Sequence, residues 1–537
     1  MKKILFFILF FSCFDGYSQE DAWVYFNTKN NSQAFLDNPL LMLSQKAIDR
    51  RVRQNIPLDF KDIPIDINLI NQIKWATGIV VLAQSKWLNA LHIRGSISDI
   101  NSLKSLSFVN KIDFANKVLN STGKNTVVFK TKAVNKALEI KVDFVYGNSA
   151  NQIQMLHGDV LHQQNYTGLG VVIAVMDAGF PGVNTTQPFQ RLRDNNQILG
   201  GYDFVNRSSD FYSGNSHGTM VLSSMGGYKE NSLVGTAPDA SYYLFRTEDA
   251  VSENPVEESY WVEAAEKADS LGVDVINTSL GYFDYDNSSY SHTYNEMDGK
   301  TAFITRGADI AFSRGMIVVV SAGNEGATTN PHIAVPADGV SVLTVGAVNA
   351  TKTVTGFSSI GPSYDGRIKP DVMAQGQMAV LSDASGNIVT ANGTSFSSPI
   401  TAGLVASLWQ AFPNKTNVEI KDLIIKSADR YASANNQYGY GIPDFSLALS
   451  NGLKVTEFTN KDFFVYPNPI SDLGTISFSG DFDSGIIRVF TLLGQKIMEQ
   501  NISKTASSIS LKTLQNGIYI YELECNGTIT TGKLIKQ

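Results

Sequence analysis

Continuous apolar runs that lead directly into polar residues constrain this chain most. Val171-Val172-Ile173-Ala174-Val175 leads to Asp177, Val273-Asp274-Val275-Ile276 to Ser279, and Met316-Ile317-Val318-Val319-Val320 to Asn324. A strand that is apolar on both faces needs cover on both, as the inner strands of a parallel sheet do. Helix-like stretches at 256–271 and 302–314 lie between these runs. The alternation predicts an α/β fold, a doubly wound parallel sheet with helices on both faces. Sites in such sheets form beyond the carboxyl ends of the strands. Asp177, Ser279 and Asn324 are therefore expected around one crevice.

Two further segments bring chemistry to that crevice. Ser216-His217-Gly218-Thr219 precedes the apolar stretch Met220-Val221-Leu222, which places His217 at a helix start. Asn392-Gly393-Thr394-Ser395-Phe396-Ser397-Ser398-Pro399 opens a second helical stretch, and Pro399 is tolerated in a first turn. The chain thus offers an acid, a base and a nucleophile in the order Asp177, His217, Ser395. Asp177 would hold one imidazole nitrogen, and His217 would take the Ser395 proton. Amides at the helix start would face the reacting carbonyl. Asn324, in Ser321-Ala322-Gly323-Asn324-Glu325-Gly326, can aim its amide at the oxyanion. Each residue alone has a plainer reading as a turn, cap or surface residue. The combination decides against that.

The ends of the chain describe its traffic. Lys2 and Lys3 precede an apolar run over 4–11 that is too short to span a bilayer, and Gly16-Tyr17-Ser18 follows. This is a secretory signal with a cut expected after Ser18. Phe10 is a poor neighbour for a lipoprotein acceptor at Cys13. The chain has two cysteines; once Cys13 leaves, Cys525 has no intramolecular partner, so no disulfide framework is expected. A net charge of -7 over 537 residues, without a basic and aromatic cluster, argues against nucleic acid as a partner.

The chain divides into a signal peptide (1–18), a small α+β domain (19–146), a large α/β domain that carries Asp177, His217 and Ser395 (147–452), a linker (453–462) and a small β-sandwich (463–537). In the second part, Trp23-Val24-Tyr25-Phe26 and Ile79-Val80-Val81-Leu82 read as strands. Residues 44–51 read as a helix start, and 86–91 and 103–106 as helices over a small sheet. In the last part, strands are expected at 475–479, 486–492, 518–524 and 528–535. Gly480, Gly485, Gly494, Gly517 and Gly527 mark the turns. No histidine occurs there, so it is not expected to be catalytic.

The segments around Asp177, His217, Asn324 and Ser395 resemble the subtilase (subtilisin-like) family of serine peptidases. So do Gly235-Thr236-Ala237-Pro238, Asn277-Thr278-Ser279-Leu280-Gly281 and Tyr440-Gly441. The resemblance implies Asp177 as orienting acid, His217 as general base, Ser395 as nucleophile and Asn324 as oxyanion donor. Ser279-Leu280-Gly281 is implied as an edge strand that pairs with an extended peptide. Ala178 stands where the family usually has Thr or Ser, and Phe396-Ser397 replace Met-Ala. Residues 21–146 resemble a subtilase propeptide by position and alternation, and would inhibit and assist folding. Tyr466-Pro467-Asn468-Pro469, Gly517-Ile518-Tyr519 and Gly532-Lys533-Leu534-Ile535 resemble the C-terminal sorting domain of type IX secretion cargo in Bacteroidetes.

The implied protein is a secreted or cell-surface serine endopeptidase acting on polypeptides, with the type IX secretion machinery as partner, and monomeric. No cofactor is required. Structural calcium is allowed for, with Asp194-Asn195-Asn196 and Asp284-Tyr285-Asp286-Asn287 as oxygen-rich stretches that more readily read as solvated loops. The alternative is a catalytically silent surface binding module on the same fold. An esterase would need a Gly-x-Ser-x-Gly elbow with Ser ahead of His, which this chain lacks.

Overall fold

The computed structural model describes residues 19–30, 32–120, 144–453, 463–478, 484–492, 494–503, 505–525 and 528–537. The signal segment with Cys13, residues 121–143 of the first domain, the linker beyond Leu453, and the turn residues Gly480 and Gly527 lie outside these. The chain forms two compact units, Met1–Leu453 and Lys454–Gln537.

The first unit begins with an antiparallel sheet of β1 (Gln19–Phe26), β2 (Val80–Ser85), β3 (Ala90–Ser96) and β4 (Val109–Phe114), in the order β2-β3-β1-β4. Alternate side chains point to opposite faces. Ala22, Val24, Phe26, Leu91, Ile93 and Ile112 meet Leu69 and Ile73 of α2 (Ile67–Lys74) and Ile100 of α3 (Ile97–Ser102). Trp23, Tyr25, Trp87 and Ala90 belong to a core shared with the large α/β part. Before α2, α1 (Gln45–Arg53) is capped by Ser44, whose side chain accepts from Ala47 N. The helix expected over 86–91 is not formed. Residues 86–89 turn, with Asn89 at φ 51°, and β3 starts at Ala90. The buried Glu266 carboxylate accepts from Ser85 Oγ, Lys86 N and Trp87 N, and so fixes that turn from a distant helix. Only Leu103–Ser105 of the second expected helix is helical, as a short 3₁₀ turn.

The large sheet contains β5 (Val172–Asp177), β6 (Ile198–Asp203), β7 (Ser241–Arg246), β8 (Val275–Thr278), β9 (Ile317–Ser321), β10 (Leu343–Val348) and β11 (Val372–Gln375). Its order is β11-β10-β9-β8-β5-β7-β6, and every pair is parallel. The alternation along β5 explains its unbroken apolarity. Ile173 and Val175 enter one core with α4 (His217–Gly226), α7 (Thr394–Ala411), α8 (Asn417–Ser427) and α9 (Phe445–Leu453). Val172, Ala174 and Met176 enter the other, with α5 (Val256–Leu271) and α6 (Phe303–Ser313). The sheet is thus an α/β layer covered on both faces, as the apolar runs predict.

The second unit has its own core, with Val465, Ile476 and Ile509 meeting Ile487, Val489, Ile502, Tyr521, Leu523 and Leu534. One sheet holds Phe463–Tyr466, Leu473–Phe478 and Ser508–Ser510; the other holds Ser484–Phe490, Lys496–Ser503, Gly517–Cys525 and Thr528–Lys536. No helix among the described residues is long and apolar enough to cross a membrane.

Candidate active site

β5 and β8 are neighbours, so Asp177 at the end of β5 and Ser279 just beyond β8 emerge side by side. Asp177 is fully buried. Its Oδ1 accepts from Ala178 N at 2.7 Å and lies 2.8 Å from His217 Nδ1. The imidazole sits on the first residue of α4, and the His217 backbone N–H donates to Asn215 Oδ1 at 2.9 Å. This approach needs Gly218: a Cβ there would stand 2.5 Å from Gly179 O and 2.9 Å from Asp177 Cβ. Burial lowers the His217 pKa, but the Asp177 charge and hydrogen bond raise it, and the net result is upward. His217 Nε2 carries no hydrogen bond among the described residues.

Ser395 is the second residue of α7. Gly393 before it adopts φ 152°, ψ 149°, a conformation that favours glycine, and so turns the chain sharply into the helix. The Phe396 ring lies 5.8 Å from the imidazole, which brings the start of α7 beside His217. Ser395 Oγ itself donates to Ser279 O at 3.2 Å, and no hydrogen bond joins it to His217. The structure thus brings Asp177 and His217 into direct contact, and turns the serine hydroxyl to the adjacent strand end.

Asn324 Oδ1 accepts from Thr394 N at 2.9 Å and from Thr394 Oγ1 at 3.0 Å. This leaves the Nδ2 amide uncommitted. The Ser395 backbone N–H, in the first turn of α7, is uncommitted as well. Two donors are therefore available at the helix start. Beyond β8, Leu280 and Gly281 use neither backbone N–H nor C=O in hydrogen bonds among the described residues, whereas Tyr282 pairs with Val335. Within the 279–281 segment, Leu280 and Gly281 keep a free edge to which an extended chain can add.

Three positioning residues were not singled out from the sequence. Ser398 Oγ donates to Asn277 Oδ1 at 3.0 Å, Asn277 Nδ2 to Ser279 Oγ at 3.2 Å, and Ser279 Oγ to Ser395 O at 2.8 Å. Together with Thr394, this buried relay locks the start of α7 against β8 and the Asn324 loop. Asn277, Thr394 and Ser398 all lie inside the motif segments, but only the fold gives them partners.

The profile of the Subtilase family matches residues 168–441. The chain belongs to the subtilase family. Subtilisin NAT of Bacillus subtilis subsp. natto is 31% identical over 299 residues, which span 55% of this chain and 70% of the relative. Subtilisin of Bacillus pumilus is 30% identical over 55% of this chain and 97% of its own length. Serine protease AprX of Bacillus subtilis (strain 168) is 29% identical over 52% and 66%. A crystal structure of MycP1 with the N-terminal propeptide removed aligns with TM-score 0.44 and 24% identity over 57% of this chain and 98% of that one. This subtilase also matches the Peptidase S8 propeptide domain, Bacteroidota, over 21–133 and the secretion system C-terminal sorting domain over 464–537. It is a serine endopeptidase made with a propeptide, and a secreted or cell-surface protein.

Proposed function

We propose that this subtilase hydrolyses internal peptide bonds through Asp177, His217 and Ser395, with Asn324 as oxyanion donor. The observation that supports it most is the 2.8 Å contact between Asp177 Oδ1 and His217 Nδ1. With Nδ1–H held by the carboxylate, Nε2 is the basic nitrogen, and it is uncommitted. A peptide lies extended along Ser279-Leu280-Gly281. Ser395 Oγ rotates from the Ser279 carbonyl to His217 Nε2, gives up its proton and attacks the scissile carbonyl carbon. The Ser395 N–H and Asn324 Nδ2 hold the oxyanion; one such donor contributes about 10²–10³ in kcat. His217 then protonates the leaving amine, and water repeats the sequence on the acyl-enzyme. These side chains suffice for the acyl transfer without a cofactor.

The parts of the chain are assigned accordingly: 1–18 as signal, 19–146 as an inhibitory and folding-assisting propeptide, 147–452 as a monomeric peptidase, 453–462 as linker and 463–537 as the type IX export signal. The test is a fluorophosphonate probe on the processed protein. Labelling is expected at Ser395 and absent from Ser395→Ala. A processed chain that stays unlabelled is the silent surface module instead. In a peptide library, cleavage is expected at internal bonds with a loose apolar or aromatic preference, and cleavage confined to termini would refute the endopeptidase reading.

A further inference from the structure

The Asp177 carboxylate is held by one oxygen only. Its Oδ1 takes both donors, Ala178 N at 2.7 Å and His217 Nδ1 at 2.8 Å. Its Oδ2 is buried with no hydrogen-bond partner. A carboxylate offers about four acceptor positions, and a buried oxygen without a donor is costly. Ala178, whose amide already reaches the carboxylate, has no hydroxyl to add. The acid therefore lacks a second point of attachment that would fix its tilt.

The imidazole is fixed as loosely. Nδ1 is its one hydrogen-bonded atom among the described residues, and 28% of the side chain is exposed. One contact at one ring atom leaves the plane of the ring to packing. Phe396 supplies that packing, with its ring centroid 5.8 Å from the imidazole, inside the range of about 4.5–7 Å for paired rings. Among the described residues it is the one aromatic ring paired with His217. Phe396 is itself firmly seated: it is 4% exposed, lies in the large core, and its N–H donates to Gly393 O at 3.1 Å. Its neighbour Ser395 is tied through its carbonyl to Ser279 Oγ at 2.8 Å. The serine and the ring that braces the imidazole are consecutive residues of one turn, so a shift of α7 moves both together.

We propose that Phe396 is a positioning residue for the reaction, whose ring sets the plane of His217 and replaces the second hydrogen bond that Asp177 lacks. It acts through the imidazole, not on the substrate. The inference rests on His217 as the base of the proposed triad, and adds the part that holds it.

The processed protein and its variants are assayed for kcat and KM well below their melting temperatures. The Nδ1–H proton of His217 is followed by NMR, and a portion of each sample is treated with the fluorophosphonate probe. Phe396→Leu removes the flat ring. Its kcat should fall about tenfold or more with KM held within about twofold, the signature of a misplaced catalytic group. Its Nδ1–H signal should broaden through faster exchange with water. Adding Ala178→Ser, which brings a hydroxyl to Asp177 Oδ2, should sharpen the signal and recover part of kcat. If Phe396→Leu does not fold, Phe396→Met, which fills the space without a flat ring, decides in its place. The proposal is overturned if the variant keeps the parent's kcat and proton signal, or if its loss lies in KM alone. It is equally overturned if Ala178→Ser restores neither, since Phe396 would then serve core packing only. A parent that takes no label removes the triad, and this proposal with it; a labelled parent leaves the triad standing whatever Phe396 does.

Discussion

His217 is pulled in two directions. Burial disfavours its charged ring, while the Asp177 carboxylate favours it more, so its pKa lies above the ordinary 6.5. In the proposed mechanism the base that accepts the Ser395 proton is the neutral ring. A raised pKa keeps the ring protonated to higher pH, so activity is lost as pH falls through that value and gained above it. The profile of kcat/KM against pH is expected to rise through an inflection above 6.5. Asp177→Asn should move the inflection down and cost about 10⁴ in kcat. An unmoved inflection would detach Asp177 from the base. Asp177, His217, Ser395 and Asn324 could be proposed from the sequence because each sits in a short segment of small residues whose chain order carries information. Thr394, Asn277 and Ser398 could not. Their work is done by a hydroxyl or amide facing a partner on another element, as with Ser398 and Asn277, which are 121 positions apart.

At the scale of elements, α1 meets α5 through buried charge. Arg50 and Arg51 are 0% and 2% exposed, and both bond the fully buried Asp269; Arg51 also bonds Asp62 at 2.8 Å. Removing one member of such a cluster strands the others. Asp269→Ala, in the Ser395→Ala chain, is expected to lower the unfolding free energy by about 3–5 kcal/mol. Lys46→Ala breaks the half-exposed contact to Asp274 and should cost less than about 1 kcal/mol. Urea unfolding of the two variants checks the contrast, and equal losses would contradict it. Long periodic elements were legible: α5 spans Val256–Leu271, as the apolar pattern predicts. Residues 86–91 were not, because six residues with apolar positions fit a helix turn as well as a turn entering a strand. Glu266, 179 positions from Trp87, decides between them.

At the scale of the molecule, the sorting tail encloses its own apolar core, and α9 ends the peptidase unit at Leu453. A chain ending at Leu453 is expected to fold and to cleave peptides with kcat/KM unchanged, while failing to reach the outside of the cell. Fractionation with a peptide assay checks this, and a tailless chain found outside would remove the export role. The succession of parts was legible because composition shifts with architecture. The two-sheet pairing of the tail was less so, since Lys496–Ser503 lacks the apolar alternation that marks the other strands and Ser508–Ser510 is only three residues long.

The Ser395 hydroxyl, the proposed nucleophile, and the carbonyl it rests on are 116 positions apart, and α7 arrives after every strand of the large sheet. A chain threaded N-terminus first therefore carries no working protease until nearly all of its peptidase unit has emerged. During synthesis and passage across the inner membrane, the cell is shielded by connectivity itself, before any inhibitor acts.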